Sequence, residues 1–314
     1  MNHFADKPYY SLDCFLKEQF GEKIYKIAID AGRTCPVRDG TLDTRGCLFC
    51  SAGGSGEFAA HGSSISEQLR DGMNKFGDKH IGRRFIAYFQ SFTNTYAPTE
   101  LLRRQFSESL AEPSVAGISI ATRPDCISEE CIRMLRELRA CHPGKFIWVE
   151  LGLQTIHEST ARLIRRGYPL SCFEDTMGRL TEARIPVIVH MIIGLPHEGA
   201  EENLAGIRYL NAQHPFGIKL HQLHVIRGTD LARHPEWYPS YSLDDYITLL
   251  IQLLEQMSPD IVIHRLTGDG PRNLTIAPEW SLHKRNVLNT LHRRMREQNT
   301  WQGKYYGPDI IGTL

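Results

Sequence analysis

The segment FIWVELGLQT (residues 146–155) combines two patterns that together indicate a strand of an open barrel. Side chains alternate between the two faces of a strand, so one face of this segment is polar and the other apolar. The first face carries Trp148, Glu150, Gly152 and Gln154, and the second carries Val149, Leu151 and Leu153. A polar inner face backed by an apolar outer face is expected where a barrel surrounds a solvated active site.

Comparable apolar runs recur along the chain and alternate with amphipathic ones. They lie at 26–31, 84–90, 116–122, 186–194 and 217–225, and a seventh begins at Asp260. Helix patterns lie between them at 64–76, 99–112, 128–140, 159–167, 171–183 and 200–212. Repeated βα units predict a parallel sheet with right-handed crossovers. We therefore expect an α/β fold, a partial (β/α)6 barrel of the TIM type.

The alternation is confined to the middle of the chain, which suggests three parts. Residues 1–25 are expected to form an N-terminal extension that packs on the barrel, and residues 26–240 the barrel itself. Residues 241–314 are expected to form a helical, partly irregular C-terminal extension. This last part contains a long helix pattern, the Gly/Pro-bearing stretch LTGDGPRNLTIAPEW at 266–280, and a basic helix from Ser281.

Composition excludes some partners. Lys plus Arg equals Asp plus Glu at 36 each, so no global charge would draw the whole surface to nucleic acid or to an anionic membrane. The N-terminus has no signal-peptide pattern, and no segment approaches the roughly 18 apolar residues of a membrane span. We expect a cytoplasmic protein without a membrane partner, in which the eight cysteines stay reduced.

Three of these cysteines, Cys35, Cys47 and Cys50, lie in one glycine-bearing loop directly after the first predicted strand. In a parallel barrel, reactive residues belong to such loops. Two kinds of site suit three closely spaced thiolates. Zinc would need a fourth ligand, for which His61 is the nearest candidate. A cubane iron–sulfur cluster bound by three cysteines would instead keep one iron without a protein ligand, open to a cosubstrate.

The cysteine loop and several further motifs together resemble the radical S-adenosylmethionine (SAM) superfamily. More specifically, they are similar to its YhcC/YtqA-like group, which is related to the radical domain of the elongator catalytic subunit. The motifs are Phe49 before the last loop cysteine, ATRPD (121–125), VELGLQT (149–155), HMIIGLP (190–196), residues 9–32 and NTWQGKYYG (299–307). The likeness covers nearly the whole chain.

The resemblance implies a radical enzyme that binds one [4Fe–4S] cluster and SAM. Cys35, Cys47 and Cys50 would ligate the cluster, and SAM chelated to the open iron would be cleaved reductively to a 5′-deoxyadenosyl radical, which abstracts hydrogen from a substrate. The implied SAM contacts are Phe49, Gln90, Ser91, Asn94, Glu150, Gln154, Arg165 or Arg166, and Gly194. Residues 90–94 stand where the superfamily usually carries a Gly-Gly-Glu motif, so this chain departs from the pattern there.

Kinship to elongator-type enzymes implies modification of a tRNA uridine at the wobble position. The basic C-terminal helix, with Arg285, Arg293 and Arg296, would contact the tRNA phosphates. An external one-electron donor such as a flavodoxin or ferredoxin is also implied. Two alternatives stay open, a radical SAM enzyme that acts on a small molecule or a protein side chain, and a zinc-stapled RNA-binding module without catalysis.

The other cysteines and the histidines of the barrel indicate no second metal site. The spacings of Cys126, Cys131, Cys141 and Cys172 fit no compact ligand motif, and unpaired cysteines are commonly buried. His221 and His224 would face opposite sides of a continuous strand. His190 is expected to be a core or pocket residue.

Overall fold

The computed structural model describes residues 4, 7–54, 64–76, 83–239, 241–268 and 270–307. Its centre is a parallel sheet with seven strands in the described part of the chain, in the order β1-β2-β3-β4-β5-β6-β8. These strands are β1 (Tyr25–Ile29), β2 (Phe85–Phe89), β3 (Val115–Thr122), β4 (Phe146–Gln154), β5 (Val187–Ile193), β6 (Gly217–Gln222) and β8 (Val262–Arg265). A short antiparallel pair, β7 (Val225–Ile226) and β9 (Thr275–Ala277), lies after β6 and β8.

Most of the helices connect successive strands and cover the outer face of the sheet, whereas α1 precedes β1 and α9 follows the last strand. They are α1 (Leu12–Phe20), α2 (Ile65–Asn74), α3 (Thr99–Ala111), α4 (Glu129–Cys141), α5 (Glu158–Leu163), α6 (Leu170–Glu182), α7 (Ala200–Gln213), α8 (Leu243–Gln256) and α9 (Lys284–Glu297). Several begin directly after a Ser residue that caps the first turn. The hydroxyls of Ser64, Ser128 and Ser242 accept hydrogen bonds from the first-turn amides of α2, α4 and α8.

The outer face of the sheet packs against these helices in the main hydrophobic core. Val149, Leu151 and Leu153 of β4 belong to this core and are fully buried, as their alternation predicts. The predicted α/β fold is confirmed, and the chain forms a partial barrel. The seventh strand, β8, lies in the segment predicted to begin at Asp260, and it pairs with β6 although it follows residue 240, where the barrel was expected to end.

The two ends of the sheet are β1 and β8, and the N-terminal segment reaches the second of these edges. The amide of Ile263 in β8 donates to the carbonyl of Tyr10 at 2.7 Å, and Ser11 forms a parallel bridge with Ile263. The helix α1 follows directly. Leu16 of this helix packs with Trp148 and Ile188 in an apolar cluster on the inner face of the sheet. The N-terminal segment therefore supplies part of the apolar packing inside the barrel.

No helix in the described ranges is long and apolar enough to cross a membrane.

Candidate radical SAM site

The cysteine loop leaves the carboxyl end of β1 and is held by hydrogen bonds of its own backbone. The amide of Arg38 donates to Cys35 O at 2.8 Å, and the amide of Cys50 donates to Cys47 O at 3.0 Å. The Arg38 guanidinium closes the loop, since its Nη2 donates to the carbonyls of Cys50, at 2.8 Å, and Ser51. Leu48 N also donates to Ile164 O at 3.0 Å, which fixes the loop against the segment after β4.

All three loop cysteines line one cavity of about 1340 Å³ at the carboxyl ends of the strands. They are free thiols and partly exposed. Burial, and next the neighbouring Cys50, raise the pKa of the Cys47 thiol to about 12, whereas Arg123 and Arg38 act in the opposite direction. Soft sulfur ligands backed by two guanidinium groups are a donor set that suits an anionic iron–sulfur cluster. The residues present therefore fit the cluster.

The described residues do not form a binding site for a single metal ion. Among the residues that the structure describes, no group of three or more His, Cys, Asp or Glu side chains is arranged to hold one metal ion. His61, the candidate fourth ligand of a zinc site, lies outside the described residues. Of the other cysteines, Cys131 is buried in the main core, where burial raises its thiol pKa to about 12.

Below the cysteines, Glu150 is the centre of a buried ionic cluster on the inner face of the sheet. Glu150 is 1% exposed, and its carboxylate accepts hydrogen bonds from Lys26 Nζ at 3.0 Å, from Lys219 Nζ and from Ser119 Oγ at 2.6 Å. Burial opposes the charge on Glu150, but Lys219 and Lys26 outweigh it and hold the pKa of this carboxyl well below its usual range. The predicted inward direction of Glu150 is confirmed, and its carboxylate is engaged by protein cations.

His190, on the adjacent strand β5, completes this cluster. Its Nε2 lies 2.7 Å from Glu150 Oε2. Burial, and next the Lys219 ammonium, lower the pKa of His190 to about 4, although Glu150 acts in the opposite direction. The imidazole is therefore neutral at pH 7, with Nε2–H donating to the carboxylate.

Phe49, Gln90 and Gln154 line the same cavity as the cysteines, together with Glu150. Phe49 also packs against the apolar cluster that contains Leu48 and Leu195. Gln154, at the end of β4, has a left-handed backbone with φ of 64°, and Tyr168 Oη lies 3.3 Å from its Oε1. The structure thus brings these predicted SAM contacts together with the thiols, and their binding of SAM stays a prediction.

Four other predicted contacts, Ser91, Asn94, Arg165 and Gly194, are not among the described residues that line this cavity. Asn94 is buried and holds the chain after β2, because its Nδ2 donates to Ser91 O at 3.1 Å and to Ala121 O at 3.0 Å. Arg165 pairs with Asp230 at 2.6 Å. Gly194 has φ of 86°, a left-handed conformation that favours glycine. Direct contacts of these four residues with SAM likewise stay predictions.

The guanidinium of Arg166, which the sequence offered as the alternative to Arg165, is in the cavity wall. It is 2% exposed and donates to the carbonyls of Leu153, at 3.2 Å, and Thr155, at 2.7 Å. Sequence reasoning missed Arg123, whose Nη1 donates to Arg166 O at 2.8 Å and which pairs with Asp125 at 2.7 Å. The motif ATRPD contains both Arg123 and Asp125, so this signal was present in the sequence.

His221 and His224 both line the cavity, contrary to the expectation that they face opposite sides. That expectation assumed one continuous strand, whereas β6 ends at Gln222 and β7 begins at Val225. The break turns the chain and brings the second ring to the inner side.

Comparison with known proteins identifies the family. Residues 44–209 match the family described as the Radical SAM superfamily, and residues 215–297 match its Radical_SAM C-terminal domain. The chain belongs to the radical SAM superfamily. The protein is therefore an enzyme, and members of this superfamily use a [4Fe–4S] cluster and SAM, so the cofactors expected from the sequence are confirmed. Radical SAM enzymes also need an external electron donor.

The relatives agree with the group expected from the sequence. The uncharacterized protein YtqA of Bacillus subtilis is 41% identical over 308 residues, which cover 96% of this chain and 94% of YtqA. Elongator complex protein 3 of Schizosaccharomyces pombe is 28% identical over 240 residues, which cover 70% of this chain and 42% of that protein. The resemblance to the YhcC/YtqA-like group, related to the elongator protein, is confirmed.

Solved structures share the fold. The archaeal Methanocaldococcus infernus Elp3, with its N-terminus deleted, superposes with a TM-score of 0.66 at 17% identity. The match covers 89% of this chain and 64% of that one.

Proposed function

We propose that this radical SAM enzyme modifies a wobble uridine in tRNA, with Cys35, Cys47 and Cys50 as the cluster ligands. The observation that carries the cluster assignment is that the three thiols line one cavity at the carboxyl ends of the barrel strands. The cluster and SAM, when bound, supply the one-electron cleavage that generates the adenosyl radical. We propose a flavodoxin or ferredoxin as the external donor of the electron for this cleavage.

The chain's own residues hold and shield these groups. Arg38 clamps the cysteine loop, and Arg123 and Arg166 position its neighbouring backbone. Phe49, Gln90 and Gln154 present an aromatic ring and two amides to the same space, which suits the adenine and the polar methionine end of SAM. The apolar cluster around Trp148 closes the inner face of the barrel below the ionic layer. These features support a cavity that excludes water from the radical.

Two observations support tRNA as the substrate. The chain is related to Elongator complex protein 3 over 70% of its length. Its helix α9 buries Val287, Leu291 and Met295 and keeps a basic outer side. A basic helix at the end of a barrel cavity suits the phosphates of a nucleic acid, whose affinity would fall with salt.

The experiment begins with anaerobic purification and analysis of iron, sulfide and zinc. We expect about four irons per chain, an absorption band that bleaches with dithionite, and release of 5′-deoxyadenosine from SAM. Cys50→Ala should abolish the cleavage. The control is Cys131→Ala, since Cys131 lies in the hydrophobic core. Zinc without iron, or cleavage that survives in Cys50→Ala, would contradict the assignment.

The substrate is tested separately with tRNA that lacks wobble modification. We expect 5′-deoxyadenosine to form faster with this tRNA than with fully modified tRNA, and a mass change at the wobble nucleoside. Turnover that proceeds without tRNA would instead favour a small molecule or a protein side chain.

A further inference from the structure

The cavity that holds the three thiols is strongly cationic, although the chain as a whole is neutral. Of the described residues that line it, nine are Lys or Arg and only Glu150 is acidic. Glu150 is itself paired with Lys26 and Lys219. The volume, about 1340 Å³, exceeds the roughly 300–1,000 Å³ of ordinary small-molecule pockets. The cavity therefore has room and positive charge for more than the two cofactors.

Seven of these nine cations form two groups by their place in the chain, and Lys26 and Lys75 belong to neither. Arg38, Arg123 and Arg166 belong to the cysteine side, and each donates to backbone carbonyls there. A second group follows the other edge strand of the sheet and consists of Arg265, Arg272, Lys284 and Arg285. Arg265 ends β8, Arg272 lies in the next loop, and the remaining two form the first turn of α9.

The second group runs from the inside of the cavity to its mouth. Arg265 and Lys284 are partly buried, and Arg272 and Arg285 are exposed. One such cation would be enough to bind a single small anion. Four cations that extend from the partly buried interior to the exposed mouth instead match several successive phosphates of one strand. Such a strand would enter the cavity at one end and remain outside it at the other.

Two glycines between β8 and β9, Gly268 and Gly270, line the cavity. Gly268 and Gly270 pack on the ring of His224, and a Cβ atom at Gly268 would overlap that ring. The amide of Gly268 donates to Gln222 Oε1 at 2.7 Å. Next to this loop, Nε2 of His221 is buried and has no hydrogen-bond partner among the described residues. Since His221 lines the cavity, its ring nitrogen is available to a ligand there.

We propose that Arg265, Arg272, Lys284 and Arg285 bind the phosphodiester groups of a single-stranded RNA segment and so direct one nucleotide into the cavity. The inference rests on the proposed function, because the nucleotide must reach the radical formed at the cysteines. The inference also restricts the part of α9 that contacts RNA to its first turn, with Lys284 and Arg285. Arg293, Arg294 and Arg296, farther along the same helix, make other contacts. Arg294 pairs with Asp244 at 2.5 Å, and Arg296 donates to His292 O at 3.1 Å.

The test compares two triple variants that each remove three positive charges from this region. One is Arg272→Gln/Lys284→Gln/Arg285→Gln at the cavity mouth, and the matched control is Arg293→Gln/Arg294→Gln/Arg296→Gln. The probe is a fluorescein-labelled anticodon stem-loop of unmodified tRNA, followed by anisotropy over a range of KCl concentrations. The cluster absorption spectrum of each variant shows whether it folds. The single variant Arg272→Gln, at an exposed residue, is measured as well because it removes one charge without disturbing the packing.

We expect the mouth variant to bind the probe at least about tenfold more weakly. Its slope of log affinity against log salt should fall by about 2, since each single-strand phosphate contact contributes roughly 0.7. The control should keep the wild-type slope. Equal losses in both variants would overturn the proposal, as would competition by uridine 5′-monophosphate at the concentrations at which the stem-loop competes. Wild-type protein that binds the RNA but releases no 5′-deoxyadenosine would contradict the proposed function alone.

Discussion

Glu150 and His190 are joined across neighbouring strands by a contact of 2.7 Å between Oε2 and Nε2. The strands are β4 and β5, and both residues line the cavity that contains the three cysteines. The carboxylate also pairs with Lys26 and Lys219, so two cations depend on one buried anion. The integrity of this ionic cluster therefore depends on Glu150.

Glu150→Gln should destabilise the protein strongly. The substitution keeps the shape of the side chain but leaves Lys26 and Lys219 without their counter-charge, and breaking a buried pair in this way costs about 3–5 kcal/mol. Urea unfolding measures the change in the free energy of unfolding. The control is Glu137→Gln, whose side chain is 47% exposed and pairs with Arg103 on the surface. Exposed pairs contribute about 0–1 kcal/mol. Similar losses in both variants would contradict the role of the buried cluster.

The depressed pKa of His190, about 4, predicts a loss of stability on acidification. At a pH between its ordinary value of 6.5 and about 4, the unfolded chain binds a proton at this position and the folded chain does not. The free energy of unfolding should therefore fall by up to about 1.4 kcal/mol per pH unit as the pH decreases through this window. At pH values below the usual pKa of a carboxyl group, Glu150 also lowers the free energy of unfolding as the pH decreases, because its own pKa is depressed in the folded protein.

His190→Gln should flatten this part of the pH profile, since glutamine does not titrate. The measurement is the urea unfolding free energy at several values between pH 4 and pH 7, with iron content matched between samples. His142→Gln, at the partly exposed end of α4, is the control and should keep the wild-type slope. An unchanged slope in His190→Gln would show that other groups cause the acid sensitivity.

The pattern of β4 predicted the inner and outer faces correctly because strand alternation is a local property. The partners of Glu150 were not predictable in this way. Lys26 is 124 residues away in sequence and His190 is 40 residues away, so their meeting depends on the register of several strands. The end of β6 at Gln222 lies inside the apolar run at 217–225, which continues through Leu223 and Val225. The cysteine loop was recognised because it directly follows the first predicted strand and further motifs accompany it, whereas the three thiols alone also allowed a zinc site.

Arg166→Lys should destabilise the wall beside the cysteine loop. The guanidinium of Arg166 donates from Nε to Tyr168 O at 3.0 Å and from Nη1 to two carbonyls at the end of β4. A lysine cannot reproduce this planar set of donors. Each buried carbonyl left unpaired costs about 1–3 kcal/mol. We expect a lower thermal midpoint and reduced iron content after anaerobic reconstitution. Arg162→Lys, on the exposed side of α5, should change neither quantity.

Gly54→Ala should disturb the cysteine loop more than Gly40→Ala, although both glycines have a left-handed backbone, with φ of 58° and 92°. Alanine in this conformation costs about 1–2 kcal/mol at either position. At Gly40 an added Cβ meets no atom within 4 Å. At Gly54 it would overlap the ring of Phe92, on which the Arg38 guanidinium lies with its Cζ 5.6 Å from the ring centroid. Since Arg38 donates to the carbonyls of Cys50 and Ser51, displacement of Phe92 should loosen the end of the loop.

The expected outcome is that Gly54→Ala loses iron on gel filtration and slows 5′-deoxyadenosine release, whereas Gly40→Ala loses stability alone. Equal iron retention in the two variants would show that Phe92 does not support the cluster ligands.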